Sequence, residues 1–353
     1  MPGGYLFIAL ATILFSTMEI ALKLISADFH PMQLNFIRFT VGGLVLLPLA
    51  LRIMHVKRQS GELKDEGKKG SLLASFMLLG LVGSVVSMTF YQLAVTHANA
   101  SVVAVLFSCN PVFVLLFAAI ILRNPILPRH VLALILECVG ILFIINPLHT
   151  DISLYGIVCS LLSTIFFALY AVLGTKQCMR YTGMVITCGS FLAAGLQLLL
   201  IIALSHLPPV AALLRSSGLE LFADIPLFSG VTADNWPALL YVCVGVTGLG
   251  FASYFMAMQL TSPMQASLVF FLKPALAPIL ALIILKENIP FHMALGIGLI
   301  LVGSLASLLS GERLRAILLH RQRMQQLRWK WSLIIVSPGE KTVFPVEKFH
   351  HTF

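Results

Sequence analysis

The chain of 353 residues is expected to be an all-α integral membrane protein, with ten transmembrane helices in two inverted five-helix repeats. Three observations carry this expectation. Hydrophobic residues make up 59% of the sequence and charged ones 10%, against roughly 25% charged in an ordinary soluble domain. Apolar runs of about 20 residues, each long enough to cross a bilayer as a helix, recur along the chain. The stretch Tyr91–Gly140 lines up without a gap on Tyr254–Gly303 at a constant offset of 163 residues, with 13 identities in 50 pairs. Tyr91 meets Tyr254, Phe107 meets Phe270, Pro111 meets Pro274 and Gly140 meets Gly303. An internal repeat in a polytopic membrane protein points to a carrier, because two halves that rock against each other expose one central site to each side in turn.

The ten expected spans are 4–25, 32–51, 71–94, 99–122, 129–146, 152–174, 182–205, 236–258, 264–285 and 291–310. Runs of this length favour helices over the short alternating segments of a β-barrel. The first span has no basic segment before it and carries Glu19 and Lys23, so it reads as a retained helix and not a removable signal. Five spans form a first repeat over 4–146 and five a second over 152–310. The charged stretch Arg52–Gly70 between the second and third spans reads as a disordered loop. The longest loop of the second repeat, His206–Asn235, contains a candidate short interfacial helix at Pro209–Ser216. From 311 to 353 the chain is basic, with Ile317, Leu318, Met324, Leu327 and Trp331 at helical spacing between arginines. That segment reads either as an amphipathic helix on anionic lipid or as a solvated tail.

The net charge of +9 would suit nucleic acid, but its distribution favours a membrane. On the ten-span reading, the 23 Lys and Arg residues divide into 18 on the face with both termini, two on the opposite face (Arg215 and Lys286), and three within spans. Positive charge gathers on the cytoplasmic side, so both termini are expected there, in a multi-pass protein of the cell membrane with no nucleic-acid partner. An odd number of spans per half then makes the repeat inverted. The six cysteines show no paired spacing and read as packing residues. No Gly-x-x-x-x-Gly-Lys-Ser/Thr sequence occurs, so pumping would draw on an ion or solute gradient. No metal or cofactor motif is present either. The glycines of the third and eighth spans (Gly80, Gly83, Gly245, Gly248 and Gly250) stand in spans with no strand before them, so they read as close-packing residues and not a phosphate loop.

Particular residue patterns resemble the drug/metabolite transporter superfamily, and within it the EamA-type carriers of ten helices. Phe15, Glu19, Lys23, Pro31 and Arg38-Phe39 stand where that family's first repeat has a polar kink, a lysine, a proline and an Arg-Phe pair. Ala100-Ser101, Val105-Leu106 and Pro111-Val112-Phe113 are similar to its fourth-span signature. Ala266-Ser267, Pro274 and Leu285-Lys286-Glu287 are similar to the same signature in the second half, which closes on Leu-Gly-Glu. The first repeat departs with Arg123-Asn124, and Lys273 stands opposite Asn110. The resemblance implies a secondary transporter, often an exporter of amino acids or other small metabolites. A polytopic enzyme of acyl or sugar transfer is the rival class. It would need catalytic Asp, His or Glu on a membrane-face loop, and most loops here are short.

Charge at bilayer depth costs about 2.5 to 3.5 kcal/mol on insertion scales, so each intramembrane ionisable residue is a candidate for function. Five stand out: Glu19, Lys23, Arg38, Glu137 and Lys273. At about 1.5 Å per residue, Glu19 and Arg38 lie at matching depths, roughly 9 and 10 Å below the same surface, which suggests an ion pair between the first two spans. Lys273 lies close to the midplane beside Pro274. Two readings stand for it: a ligand for a substrate carboxylate, or a buried pair with Glu137 or Glu19. Glu137 is the candidate for proton coupling, or it meets lipid or a second copy of the chain in a homodimer. Tyr91, Gln92, Asn99, Asn110, Tyr170 and Tyr254 are candidate polar contacts to the substrate, with interhelical hydrogen bonds as the alternative.

Overall fold

The computed structural model describes residues 2–60, 69–121, 128–145, 153–260 and 268–308, and among them every regular element is helical. Among the described residues, seven helical runs are long and apolar enough to cross a membrane: Gly4–Ile25, Pro31–Gln59, Leu72–His97, Ala100–Ile121, Leu154–Gly174, Gly183–Ser205 and Trp236–Ala257. Their outward side chains are apolar. Leu6, Leu51, Ile120 and Leu154 are each 60–74% exposed, a surface that suits lipid and not water.

The first run comprises α1 (Pro2–Ser16) and α2 (Met18–Ile25), which meet at Thr17. The Thr17 hydroxyl turns back onto the carbonyls of Ile13 and Leu14 and meets the Tyr241 hydroxyl at 2.6 Å. Back-bonding of this kind bends a helix. Glu19 follows in the first turn of α2.

Helix α3 (Pro31–Gln59) starts on a reciprocal cap. His30 Nδ1 accepts from Met32 N–H, Gln33 Oε1 accepts from His30 N–H, and Pro31 supplies a preset first turn. Burial holds the His30 imidazole below its usual pKa, against the raising effect of its bond to the Leu221 carbonyl. The neutral ring can then accept at Nδ1 and donate at Nε2. The expected loop from Arg52 is corrected here: the helix runs on to Gln59 and helix resumes at Lys69. Lys and Arg are good helix formers whose long stems let the charge reach water while the backbone stays helical. Residues 61–68 lie outside the described residues.

Helix α4 (Lys69–Leu79) passes through a π-helical segment, Gly80–Ser87, into α5 (Met88–His97). After a turn come α6 (Ala100–Ser108), α7 (Asn110–Ile121) and α8 (Pro128–Ile145). Next are α9 (Leu154–Tyr181), α10 (Gly183–Ser205) and a short α11 (Pro208–Ser216), the last where a short loop helix is expected. Then α12 (Trp236–Leu240) leads through a second π-helical segment, Tyr241–Gly250, into α13 (Phe251–Leu260). The described chain closes with α14 (Leu268–Ile284) and α15 (Phe291–Leu308). The tail 311–353, with its expected amphipathic pattern, lies outside the described residues.

Contacts among these helices come in matched sets. Helix α1 packs on α13 as α9 packs on α5, and α1 packs on α14 as α9 packs on α6. Helix α3 meets the second π segment as α10 meets the first, and α3 and α10 meet each other. The last residues of the two π segments, 87 and 250, are themselves 163 apart.

Glycines permit the closest approaches. A Cβ on Gly80 would fall 2.7 Å from the Ser190 carbonyl and 3.0 Å from the Ala194 nitrogen, so that backbone contact requires its absence. Gly140 and Gly296 face each other in the same way, each within 2.8 Å of the other's carbonyl if a Cβ were added. Helix α14 ends differently. Lys286, where the family signature has glycine, turns the chain away at φ 54°, a left-handed conformation that strains an L side chain. Lys286→Gly should therefore stabilise the protein by about 1 kcal/mol, read as a higher midpoint of thermal unfolding in detergent. An unchanged or lower midpoint would contradict this strain.

Candidate functional site

The deepest charges converge where the break between α1 and α2 faces α3, α5, α6 and α14. Lys273 Nζ lies 2.6 Å from Glu19 Oε1, and the two side chains are 2% and 1% exposed. The Tyr91 hydroxyl donates to the same oxygen at 2.5 Å. The Lys273 ammonium also stands 5.2 Å from the centre of the Phe107 ring, whose neighbour Tyr91 meets it edge to face at 5.0 Å. The carboxylate and the aromatic face compensate an ammonium that has left water, and the phenol donor stabilises the carboxylate.

Sequence and backbone explain why Lys273 can sit there. Pro274 and Pro278 follow it in α14, and each removes an N–H from the helical ladder. The carbonyls four residues earlier lose their donors and the helix can bend at this depth.

Arg38 enters from the third turn of α3, fully buried. Its Nε donates to Thr247 Oγ1 at 3.2 Å, its Nη2 points at Met18 Sδ at 3.2 Å, and its guanidinium lies 5.0 Å from the centre of the Phe39 ring. Among the described residues, Nη1 has no partner. Glu19 Oε2 is likewise free, as are both amide atoms of Asn35 and Gln92 and the Ser16 hydroxyl. Asn35 lies one turn from Arg38, Ser16 one turn from Glu19, and Gln92 next to Tyr91. A wall of rings runs beside this polar group, from Phe39 through Phe191 and Phe251 to Phe15 and Tyr254.

Several expectations change. Glu19 pairs with Lys273, not with Arg38: rise per residue fixes depth but leaves the direction in which a side chain points undetermined. Of the two readings for Lys273, the buried pair with Glu19 is the one formed. Lys23 is not free for a ligand, since its ammonium donates to the carbonyls of Val95, Thr96 and Ala98 at 2.7, 3.2 and 2.8 Å. Asn110 Nδ2 donates to the Thr164 carbonyl at 3.1 Å, an interhelical bond. Tyr170 meets Ser190 Oγ at 3.5 Å, and Tyr254 is partly buried against Phe15 and Phe255. The side chain of Glu137, the proton-coupling candidate, lies outside the described residues. Thr247 and Phe107 belong to the cluster, yet a threonine or phenylalanine in an apolar span gives no sign of it in the sequence.

Among the described residues, the cluster holds one carboxylate and two cations. Glu19 and Lys273 compensate each other, which leaves the Arg38 charge without a carboxylate. A buried guanidinium in that state favours an anionic group nearby.

Comparison with known proteins places the chain in a family. The EamA-like transporter family matches residues 2–146 and again 154–309. An uncharacterized transporter of Clostridium kluyveri is 33% identical over 321 residues, which cover 89% of this chain and 95% of that protein. The pseudopaline exporter CntI of Pseudomonas aeruginosa is 30% identical over 171 residues, 48% of this chain and 55% of its own. A solved crystal structure superposes with a TM-score of 0.59 at 19% identity, over 89% of this chain and 99% of that one, which speaks to the fold alone. With two family matches spanning nearly all the described helices, the chain belongs to the EamA-like transporter family and is a multi-span membrane transporter, not an enzyme.

Proposed function

We propose that the chain is a secondary transporter that exports a small metabolite bearing a carboxylate, an amino acid or a small organic anion, by alternating access. The observation that carries this reading is the buried cluster of Glu19, Lys273, Tyr91 and Arg38, drawn from helices of both halves of the sequence. The substrate's carboxylate addresses the free nitrogen of Arg38. Glu19 and Lys273 supply the opposite charges that rearrange as it binds and leaves.

Ten spans in two inverted repeats, over 4–146 and 152–310, suit this mechanism. The matched contact sets support the repeat, and so do the two π segments at the 163-residue spacing. Both termini then face the cytoplasm of a cell-membrane protein, as the placement of basic residues favours. Export is favoured over import by the likeness to a protein named as an exporter. The driving force is an ion or solute gradient.

The test begins with a thermal-shift screen of the purified protein against amino acids and small organic anions, since a specific ligand stabilises by mass action. Ligands that raise the midpoint are then followed in sealed vesicles. Saturable flux that a competing solute inhibits is the expected result. Stabilising ligands that never cross the membrane would point to a receptor instead.

A further inference from the structure

The turn between α5 and α6 is gripped from two sides. Lys23, one turn beyond Glu19, holds the last carbonyls of α5 through its three bonds to Val95, Thr96 and Ala98. Glu287, just past the end of α14, holds the first N–H groups of α6. Its Oε1 accepts from Ala100 N–H at 2.7 Å, and its Oε2 accepts from Ser101 N–H at 3.1 Å and from the Ser101 hydroxyl at 2.5 Å. Each charge meets the helix end whose dipole it complements: the ammonium at a C-terminus and the carboxylate at an N-terminus. The two charges also attract each other across the turn.

We infer that Lys23 and Glu287 are positioning residues that latch the gate at this end of the transport pathway. Three elements meet here: the end of α2, the turn joining α5 to α6, and the residue that follows α14. Each leads within a few turns to a member of the buried cluster: Glu19 on α2, Tyr91 on α5, Phe107 on α6 and Lys273 on α14. In this structure the cluster is closed off, with Glu19, Tyr91 and Lys273 all buried. To open toward this end, the tip formed by α5 and α6 must part from α2 and α14, and both sets of bonds must break together. The latch therefore sets how often the site opens to this side. It also acts on the chemistry, because the carbonyls that Lys23 holds fix the helix that aims Tyr91 at Glu19. This inference rests on the transporter reading and on its topology, in which this end faces outward.

The test needs no substrate. A single cysteine replaces buried Val103, one turn into α6, in a background with the native cysteines replaced. A membrane-impermeant maleimide is applied to right-side-out and to inside-out vesicles. Glu287→Gln keeps the shape of the side chain and removes its charge, and Lys23→Met keeps the stem. Each should raise labelling from the outer face by about ten-fold or more and lower it from the cytoplasmic face, as expected for a population shift between two states. Labelling that is unchanged in both variants, or that rises equally from both faces, would overturn the latch and leave only a structural role. If Lys23→Met does not reach the membrane, Glu287→Gln carries the test alone. Loss of the transporter reading would be seen separately, as absent flux in a protein whose labelling still shifts.

Discussion

Lys273→Met should abolish flux and remove about 3 to 5 kcal/mol of stability, because it leaves the Glu19 carboxylate buried without its cation. Among the described residues, Tyr91 alone remains on that oxygen, and Oε2 has no partner to begin with. The double variant Glu19→Gln with Lys273→Met removes both charges together. It should recover most of the lost stability, since replacing a buried pair by neutral groups of similar volume is close to neutral. Flux should stay lost. Thermal unfolding in detergent and transport in sealed vesicles measure the two effects separately. A double variant that transports like the parent would reduce the pair to a clamp between helices.

Arg38→Met should separate the same two quantities in a single substitution. The guanidinium is buried, and its contacts are a threonine hydroxyl, a thioether and an aromatic face. Removing it relieves a desolvated charge at the expense of weak bonds and some attraction to Glu19, so stability should change by less than about 1 kcal/mol. Transport of a carboxylate-bearing substrate should fall by about two orders of magnitude. That is what losing a charge-assisted hydrogen bond of roughly 3 kcal/mol amounts to. A marked drop in unfolding midpoint with flux retained would assign Arg38 to structure.

The sequence made the broad layout legible because bilayers impose it. Apolar length marks the seven helical runs that the structure finds long enough to cross a membrane, and cost at depth marks Glu19, Arg38 and Lys273. Partner choice was not legible. Glu19 and Lys273 lie 254 residues apart, and they meet through the packing of α1 and α2 against α14. Counting residues ranks depth along an axis, so it proposed Arg38, whose guanidinium meets Thr247 and Met18 instead. Lys23 stood out as a candidate for function because nothing in the sequence reveals that three backbone carbonyls converge on it. Glu287 stood out only as the close of the family signature, and nothing in the sequence reveals that its two oxygens are taken by Ala100 and Ser101. The run past Arg52 misled for a simpler reason: charge marks where a helix leaves the bilayer, not where it stops.

The central claim is that a buried, charge-bearing cluster at the break between α1 and α2 binds what the protein moves. The most direct measurement is the binding of the stabilising solute to the purified protein by calorimetry, in the parent and in the Glu19→Gln, Lys273→Met double variant. Binding should be measurable in the parent and undetectable in a double variant that unfolds at nearly the same temperature. Equal affinity in the two proteins would contradict the account.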